Sequence, residues 1–305
     1  MEPRDIVACY REFEPHPALQ GRVRALFSCG PGPEPVLPGR RVTREVRFAR
    51  GDRYSAPLFA DSGASIVFEL ASAIHLGVWV ANPAAPWGKV IGPLRRAAPA
   101  SSGPLPAMVG AYLYPAELAA FARVPTGAVA DQVAPLEEFW GSDVGELAER
   151  LPVLPESGRV DLLERALLSH MDGPREAGSV DIRGLAASVL EQHGRTPVEA
   201  LAEHAGVSRQ YLTRLFRERV GLSPKRYARL ARFQAALGYA GGTSRIDWSR
   251  VAARVGYADQ SHLIAEFREF SGLTPHRLDA ERWFHPFIAR SAGLQPSAGS
   301  EYRTR

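Results

Sequence analysis

The strongest constraint on this chain is an internal repeat in its last third. Leu201-Ala202-Glu203-His204-Ala205-Gly206 matches Val251-Ala252-Ala253-Arg254-Val255-Gly256 at an offset of 50 residues. Past the glycine the offset becomes 51. Leu212, Phe216, Arg217, Glu218, Gly221, Leu222 and Pro224 then fall on Leu263, Phe267, Arg268, Glu269, Gly272, Leu273 and Pro275. The one-residue slip lies in a turn, where an insertion is well tolerated.

Each copy has the logic of a helix-turn-helix. A short apolar helix ends at Gly206 or Gly256, and glycine takes the positive φ of a tight turn without strain. A capping residue follows, Ser208 or Asp259. The next helix has an expected inner face of Tyr211, Leu212, Leu215 and Phe216, or of His262, Leu263, Phe267 and Phe270. The outer face of the first copy presents Arg209, Gln210, Thr213 and Arg214. Arg and Gln are the side chains that pair bidentately with guanine and adenine edges. A recognition helix needs both halves of this pattern: an apolar face that fixes it, and long donors near its N-terminus that enter the groove.

The surrounding helices have their own signals. Val180–Arg195 carries an apolar stripe of Leu185, Ala186, Val189 and Leu190. Thr196-Pro197-Val198-Glu199 reads as a capping box opening a helix. Ser223-Pro224 opens another, which runs to about Ala240 and stops before Gly241-Gly242, and Asp247-Trp248 begins the next. The helix from Pro224 to Ala240 would span roughly 25 Å at 1.5 Å per residue. That length suits two recognition helices set about one turn of DNA apart, near 34 Å. A helical hairpin repeat used for protein binding would have a similar spacing.

Charge follows the repeat. The whole chain carries a formal +4, yet residues 180–290 hold 17 Arg and Lys against 11 Asp and Glu, while the remainder holds 20 against 22. The positive potential is concentrated in the repeat region, which on charge alone suits either a polyanionic partner or an ordinary solvated surface.

With these motifs in place, residues 180–285 resemble the DNA-binding domain of the AraC family of bacterial regulators. The resemblance rests on LAEHAGVSRQYLTRLFRERVGLSPKRYARLARFQAAL and VAARVGYADQSHLIAEFREFSGLTP, with both Gly-x-x-Pro endings, and covers about a third of the chain. It implies seven helices and two recognition helices on double-stranded promoter DNA. The implied base-facing residues are Arg209, Gln210, Thr213 and Arg214 in the first helix, and Gln260, Ser261, Ile264 and Ala265 in the second, with His262 a further candidate. The family often places an Arg where Ala265 stands, which is also the repeat partner of Arg214. The second unit is therefore expected to contribute shape and backbone contact more than base readout, with Ile264 at most touching a thymine methyl.

The first 140 residues read as strand and loop. Pro and Gly punctuate them at 31–40, 81–88 and 98–107, between apolar runs at Ser65–Leu70, Ile74–Val80 and Met108–Leu113. Helical stretches are expected at 115–122 and about 142–170. REFEPHPALQGRVRALFS, Gly92-Pro93-Leu94 and VAPLEEFWGSDVGELAERL resemble a sensor-like domain found ahead of such readers, which implies a cupin-like β-barrel followed by helices. In that family the domain binds a small effector, dimerises, or both. Leu163, Ala166 and Leu167 on the amphipathic segment 158–170 offer a dimer seam, against the alternative of packing onto their own barrel.

The expected organisation is α+β in two domains: a cupin-like sensor or dimerisation domain at 1–172, a linker at 173–180, an all-α double helix-turn-helix domain at 181–290, and a disordered tail at 291–305. No run of some 18 apolar residues predicts a membrane span. The N-terminus lacks a signal-peptide pattern, so the expected address is the cytoplasm. His16 and His75 are too scattered for a metal set and no phosphate loop is present, so no cofactor and no enzyme activity is expected. Trp79, Trp87, Tyr112 and Tyr114 are candidates to line an effector pocket, or to be plain core. The reading is a sequence-specific transcription regulator, with RNA polymerase, an effector and a second copy of the chain as candidate partners. The alternative is a DNA repair or modifying protein using the same reader, with Cys9 or Cys29 as acceptor. A pure interaction module is the third possibility, opposed by the exposed arginines.

Overall fold

A computed structural model describes residues 6–30, 40–49, 54–70, 88–103, 107–172, 180–240 and 246–277. The chain divides into two units. The first comprises residues 1–55, 63–93 and 101–177, and the second comprises 56–62, 94–100 and 178–305. The expected strand at Ile74–Val80, the residues His75, Trp79 and Trp87, Gly241-Gly242, the linker except Val180, and the tail from 291 lie outside the described residues, as does any helix after 277.

Among the described residues nine strands are formed: β1 (Ile6–Phe13), β2 (Val23–Gly30), β3 (Val42–Ala49), β4 (Tyr54–Leu58), β5 (Ala64–Glu69), β6 (Gly88–Ile91), β7 (Ala98–Gly103), β8 (Met108–Leu113) and β9 (Val133–Pro135). Seven make an antiparallel sheet in the order β3-β1-β2-β8-β5-β6-β9, and β4 pairs with β7. The runs read as strands at Ser65–Leu70 and Met108–Leu113 are β5 and β8. Register explains the sheet's buried face. Leu26 lies opposite Ala111, Ala111 opposite Ile66, and Ile66 opposite Val90. Period-two alternation puts this row on one face, where all four side chains join the core.

Among the described residues the unit also holds four α-helices: α1 (Ala119–Ala122), α2 (Glu137–Trp140), α3 (Asp143–Arg150) and α4 (Glu156–His170). The helix expected at 115–122 is only its last turn, because Ala116 takes φ +69°. The helical stretch expected at about 142–170 is formed by two helices, divided by a short 3-10 turn at Leu151–Val153 and the extended Pro155. Leu163 and Leu167 of α4 are fully buried in their own core and Ala166 packs against it. The offered dimer seam is thus spent on intrachain packing, the other of the two readings. Arg11 is buried beside it, donating to Glu156 at 2.6 Å and to Glu45 at 2.7 Å.

The second unit holds six helices among the described residues: α5 (Ile182–Glu191), α6 (Val198–His204), α7 (Arg209–Arg219), α8 (Pro224–Ala240), α9 (Trp248–Val255) and α10 (Gln260–Ser271). Buried Leu212, Phe216, Tyr227 and Phe233, with Phe267 and Phe270, form the middle of it. The stretches 56–62 and 94–100 close one end. The Ala60 amide donates to the Phe270 carbonyl at 2.7 Å, satisfying a group that the end of α10 would leave unpaired. Phe59 stands edge-on to Phe233, and Gln234 reaches Asp61. An antiparallel sheet domain with trailing helices, followed by a helical region with two helix-turn-helix units, is the fold class expected from the sequence.

Candidate nucleic-acid interface

The first helix-turn-helix is α6, a turn, and α7. Gly206 makes the turn at φ +65°. Ser208 then caps α7, its hydroxyl accepting from the Tyr211 amide at 3.2 Å. The second unit repeats this with Gly256 at φ +89° and Asp259, whose carboxylate accepts from the His262 amide at 2.7 Å. The capping box expected at Thr196 does not form. Pro197 occupies the cap position with no side-chain bond, and the Thr196 hydroxyl donates to Gln192 at 2.6 Å. Ser223 and Asp247 do cap α8 and α9.

On α7, Leu212, Leu215 and Phe216 are buried. Their burial turns Arg209, Gln210 and Arg214 outward as one exposed row, with Thr213 half-buried beside them. Tyr211 departs from its expected inner place. It is 40% exposed and lies under the Arg214 guanidinium, 4.9 Å from its centroid. The stack holds Arg214 extended along the exposed face and limits its rotamers before any partner arrives. Arg209 is paired with Glu199 at 3.0 Å, both of them exposed, so the pair is weak and open to exchange. The Thr213 hydroxyl donates back to the Arg209 carbonyl at 2.8 Å.

On α10, Gln260, Ser261 and Ala265 are exposed, and His262 and Ile264 are half-buried. Gln260 accepts from the Ser249 hydroxyl at 3.3 Å, leaving its amide nitrogen to donate. His262 leans inward: its Nε2 lies 3.4 Å from Glu266, and its ring meets Tyr257 edge-on. The two sets of expected residues therefore form two exposed rows of unequal chemistry. One has two guanidiniums and an amide, and the other has one amide, one hydroxyl and no cation.

Beneath α10 lies a feature the sequence reading missed. Glu266 is 1% exposed and pairs with Arg229 of α8 at 2.7 Å. Glu269 is shared between Arg229 and Arg226, the latter at 2.7 Å. Burial alone would raise the Glu269 carboxyl. The hydrogen bond and charge of Arg229, with the charge of Arg226, outweigh it and hold the group below the usual carboxylate range. Burial, and then the Glu266 charge, push the Tyr257 phenol well up. The signal was present in the repeat: position 266 aligns with Leu215, so a charge stands where the first copy has a core residue.

Among the described residues no three His, Cys, Asp or Glu are grouped to hold a metal. His16 instead caps a short turn, its Nδ1 accepting from the Ala18 amide. No described helix is long and apolar enough to cross a membrane.

Residues 201–281 match a family model described as a helix-turn-helix domain. No curated protein sequence matches the chain. Among solved structures, the C-terminal domain of AraT, a response regulator from Geobacillus stearothermophilus, is 22% identical and covers 37% of this chain and 93% of its own, with a TM-score of 0.32. ToxT from Vibrio cholerae is 11% identical over 75% of this chain and 94% of its own, with a TM-score of 0.41. A ToxT structure with unsaturated fatty acid bound is 10% identical over 75% and 90%, with a TM-score of 0.38. The matched family model and the two capped, repeated units make residues 201–281 a helix-turn-helix domain.

Proposed function

We propose that this protein binds promoter DNA sequence-specifically, with α7 and α10 in successive major grooves and α7 supplying most of the base readout. The observation that carries this reading is the row of Arg209, Gln210 and Arg214, exposed on a helix whose opposite face is locked into the core. Arg214 reads a guanine through its fork, and Gln210 an adenine or a phosphate. Thr213 presents its methyl to a thymine. On α10, Gln260 and Ser261 donate to bases or phosphates, while His262 and Ile264 pack along the groove wall. This unit contributes position and shape more than sequence.

Residues 181–290 act as the reader and 1–172 as the sensing or self-associating domain, joined through 173–180. A small-molecule effector, a second copy of the chain and RNA polymerase are the partners this arrangement serves, in the cytoplasm. The repair-protein alternative needs a thiolate acceptor. Burial pushes the Cys9 thiol up to about 11, against the opposing charge of Arg11. Burial, with a smaller contribution from Cys9, pushes Cys29 up to about 12. Both thiols are buried, so their chemistry favours structural cysteines and a protein without enzyme activity.

The test is selection of genomic fragments by the purified chain and by Arg214→Ala at two salt concentrations. The wild type should enrich one asymmetric motif, with log affinity falling linearly in log salt. Arg214→Ala should lose about 1–3 kcal/mol at one base pair of that motif. A wild type that enriches nothing, with its effector domain intact or with residues 180–290 alone, refutes the reading.

A further inference from the structure

Two DNA-reading units must agree not only in distance but in rotation. Successive major grooves repeat every 10–10.5 base pairs, so one base pair of misregister corresponds to about 34° about the duplex. A single connecting helix fixes both only as firmly as each unit is seated on it. The structure contains a second connection, made by arginines that have no carboxylate partner among the described residues.

It begins in the loop between α5 and α6. His193 and Gly194 take left-handed φ of +54° and +68°. Gly194 lies so close to α8 that a Cβ there would sit 1.8 Å from the Ala228 carbonyl oxygen. This reversal aims Arg195, the residue two before the cap of α6, at the turn of the other unit. The Arg195 guanidinium donates to the carbonyl of Arg254, in the last turn of α9. Its stem covers Gly256, where a Cβ would come within 3.3 Å of Nε. From α8, Arg232 donates to the Gly194 carbonyl at 3.2 Å, and its guanidinium lies 5.5 Å from the ring centroid of Tyr257, the residue after the turn glycine. Arg254 in turn lies over Tyr239 of α8 at 4.3 Å.

Two guanidiniums thus tie the entry of the first helix-turn-helix to the turn of the second, using backbone carbonyls and aromatic faces as anchors. Carbonyl anchors are directional and unscreened by a counter-charge, so they fix orientation more than they add stability. We propose that Arg195, with Arg232 supporting it, is a positioning residue that fixes the rotation of α10 relative to α7 and so the register in which both helices enter DNA. The proposal rests on the DNA-reading function argued above.

The test is a hydroxyl-radical footprint of the full chain on its selected site, with R195Q and R232Q beside wild type and thermal melts of each. Wild type should give two protected windows about 10–10.5 base pairs apart. In R195Q the α7 window should persist, while protection in the α10 window falls roughly threefold relative to it, or spreads over neighbouring base pairs. R232Q should show the same change more weakly. If both windows fade together at unchanged spacing, or if both variants fail to fold, the contacts are merely structural and the proposal is overturned. A wild type with one window, or with no preferred spacing, overturns it as well. Absence of any wild-type footprint on any sequence removes the DNA-reading function itself, an outcome distinct from the others.

Discussion

The two helix-turn-helix units share a backbone plan and differ in what lies beneath it. In the first, α7 sits on Leu212, Leu215 and Phe216, all buried and all apolar. In the second, α10 sits on Leu263 and Phe267 but places Glu266 where Leu215 stands, and meets α8 through Arg229 and Arg226. The outer faces differ in the opposite sense. The apolar-seated helix carries Arg209 and Arg214 outside, and the ion-paired helix carries Ala265. One copy spends its charge on the exposed face and the other beneath the helix. Repeats that diverge in this way keep the fold while changing the chemistry of the exposed face.

The largest effects should come from what the units hold in common. Phe216 and Phe267 are both fully buried at equivalent positions. Replacing either with Ala should cost about 3–5 kcal/mol in urea unfolding of the full chain. Phe267→Ala should cost the more. Its ring meets Phe233 at 4.9 Å and Trp248 at 5.1 Å, whereas Phe216 meets Tyr227 at 5.9 Å. Equal or reversed losses would contradict this account of the second core.

The next effect separates the units. Arg229→Ala strands a buried carboxylate and should destabilise by about 3 kcal/mol. Converting the second unit to the chemistry of the first, with Arg229→Met and Glu266→Leu together, should be neutral or stabilising, because apolar packing replaces a desolvated pair. Glu269 keeps Arg226 in that variant. A double variant less stable than Arg229→Ala would mean the ion pair contributes net stability, against the comparison drawn here.

A smaller effect concerns reading. Ala265→Arg restores on α10 the side chain that α7 has at Arg214. It should add about 1–3 kcal/mol of discrimination at one base pair of the second half-site, seen as new information in the selected motif. If the motif is unchanged, the exposed row of α10 does not face base edges.

Much of this was legible in the sequence because repetition supplied the register. Once Gly206 and Gly256 were aligned, the caps at Ser208 and Asp259 and the buried pair Phe216 and Phe267 followed from helical periodicity. Tyr211 was misread because an amphipathic residue at a face boundary satisfies either side. Thr196 was misread because the pattern of a capping box does not reveal that Gln192, one turn earlier, competes for its hydroxyl. The break in the 142–170 region was carried by Pro152 and Pro155, a local signal that the helical pattern on either side masked, whereas the arginine anchors at Arg195 and Arg232 depend on long-range contacts to carbonyls, which no local pattern encodes. In the sheet domain the strands β5 and β8 were plain from their apolar runs. The inclusion of 56–62 and 94–100 in the helical unit had no sequence signal.

The smallest expected effect is on pH, and it bears on the region between the two units. Burial is the main cause that lowers the His193 pKa below its ordinary 6.5, followed by the charge of Arg195, with the Leu190 backbone bond acting against it and Arg254 adding to it. A depressed histidine favours the unfolded state when protonated. Its contribution is complete above about pH 6.5 and is lost as pH falls from there through the folded value. Glu269, held below the carboxylate range, contributes fully above about pH 4.5 and is lost as pH falls through its lower folded value. Stability against urea should therefore decline on acidification in an upper step that begins near pH 6.5, from His193, and a lower one that begins near pH 4.5, to which Glu269 contributes. His193→Gln should abolish the upper step and leave the lower. Arg195→Gln should shrink the upper step by removing a neighbouring cation, and Arg226→Gln should shrink only the lower. An upper step that survives His193→Gln would assign it to another histidine and remove the loop between α5 and α6 from the acid response.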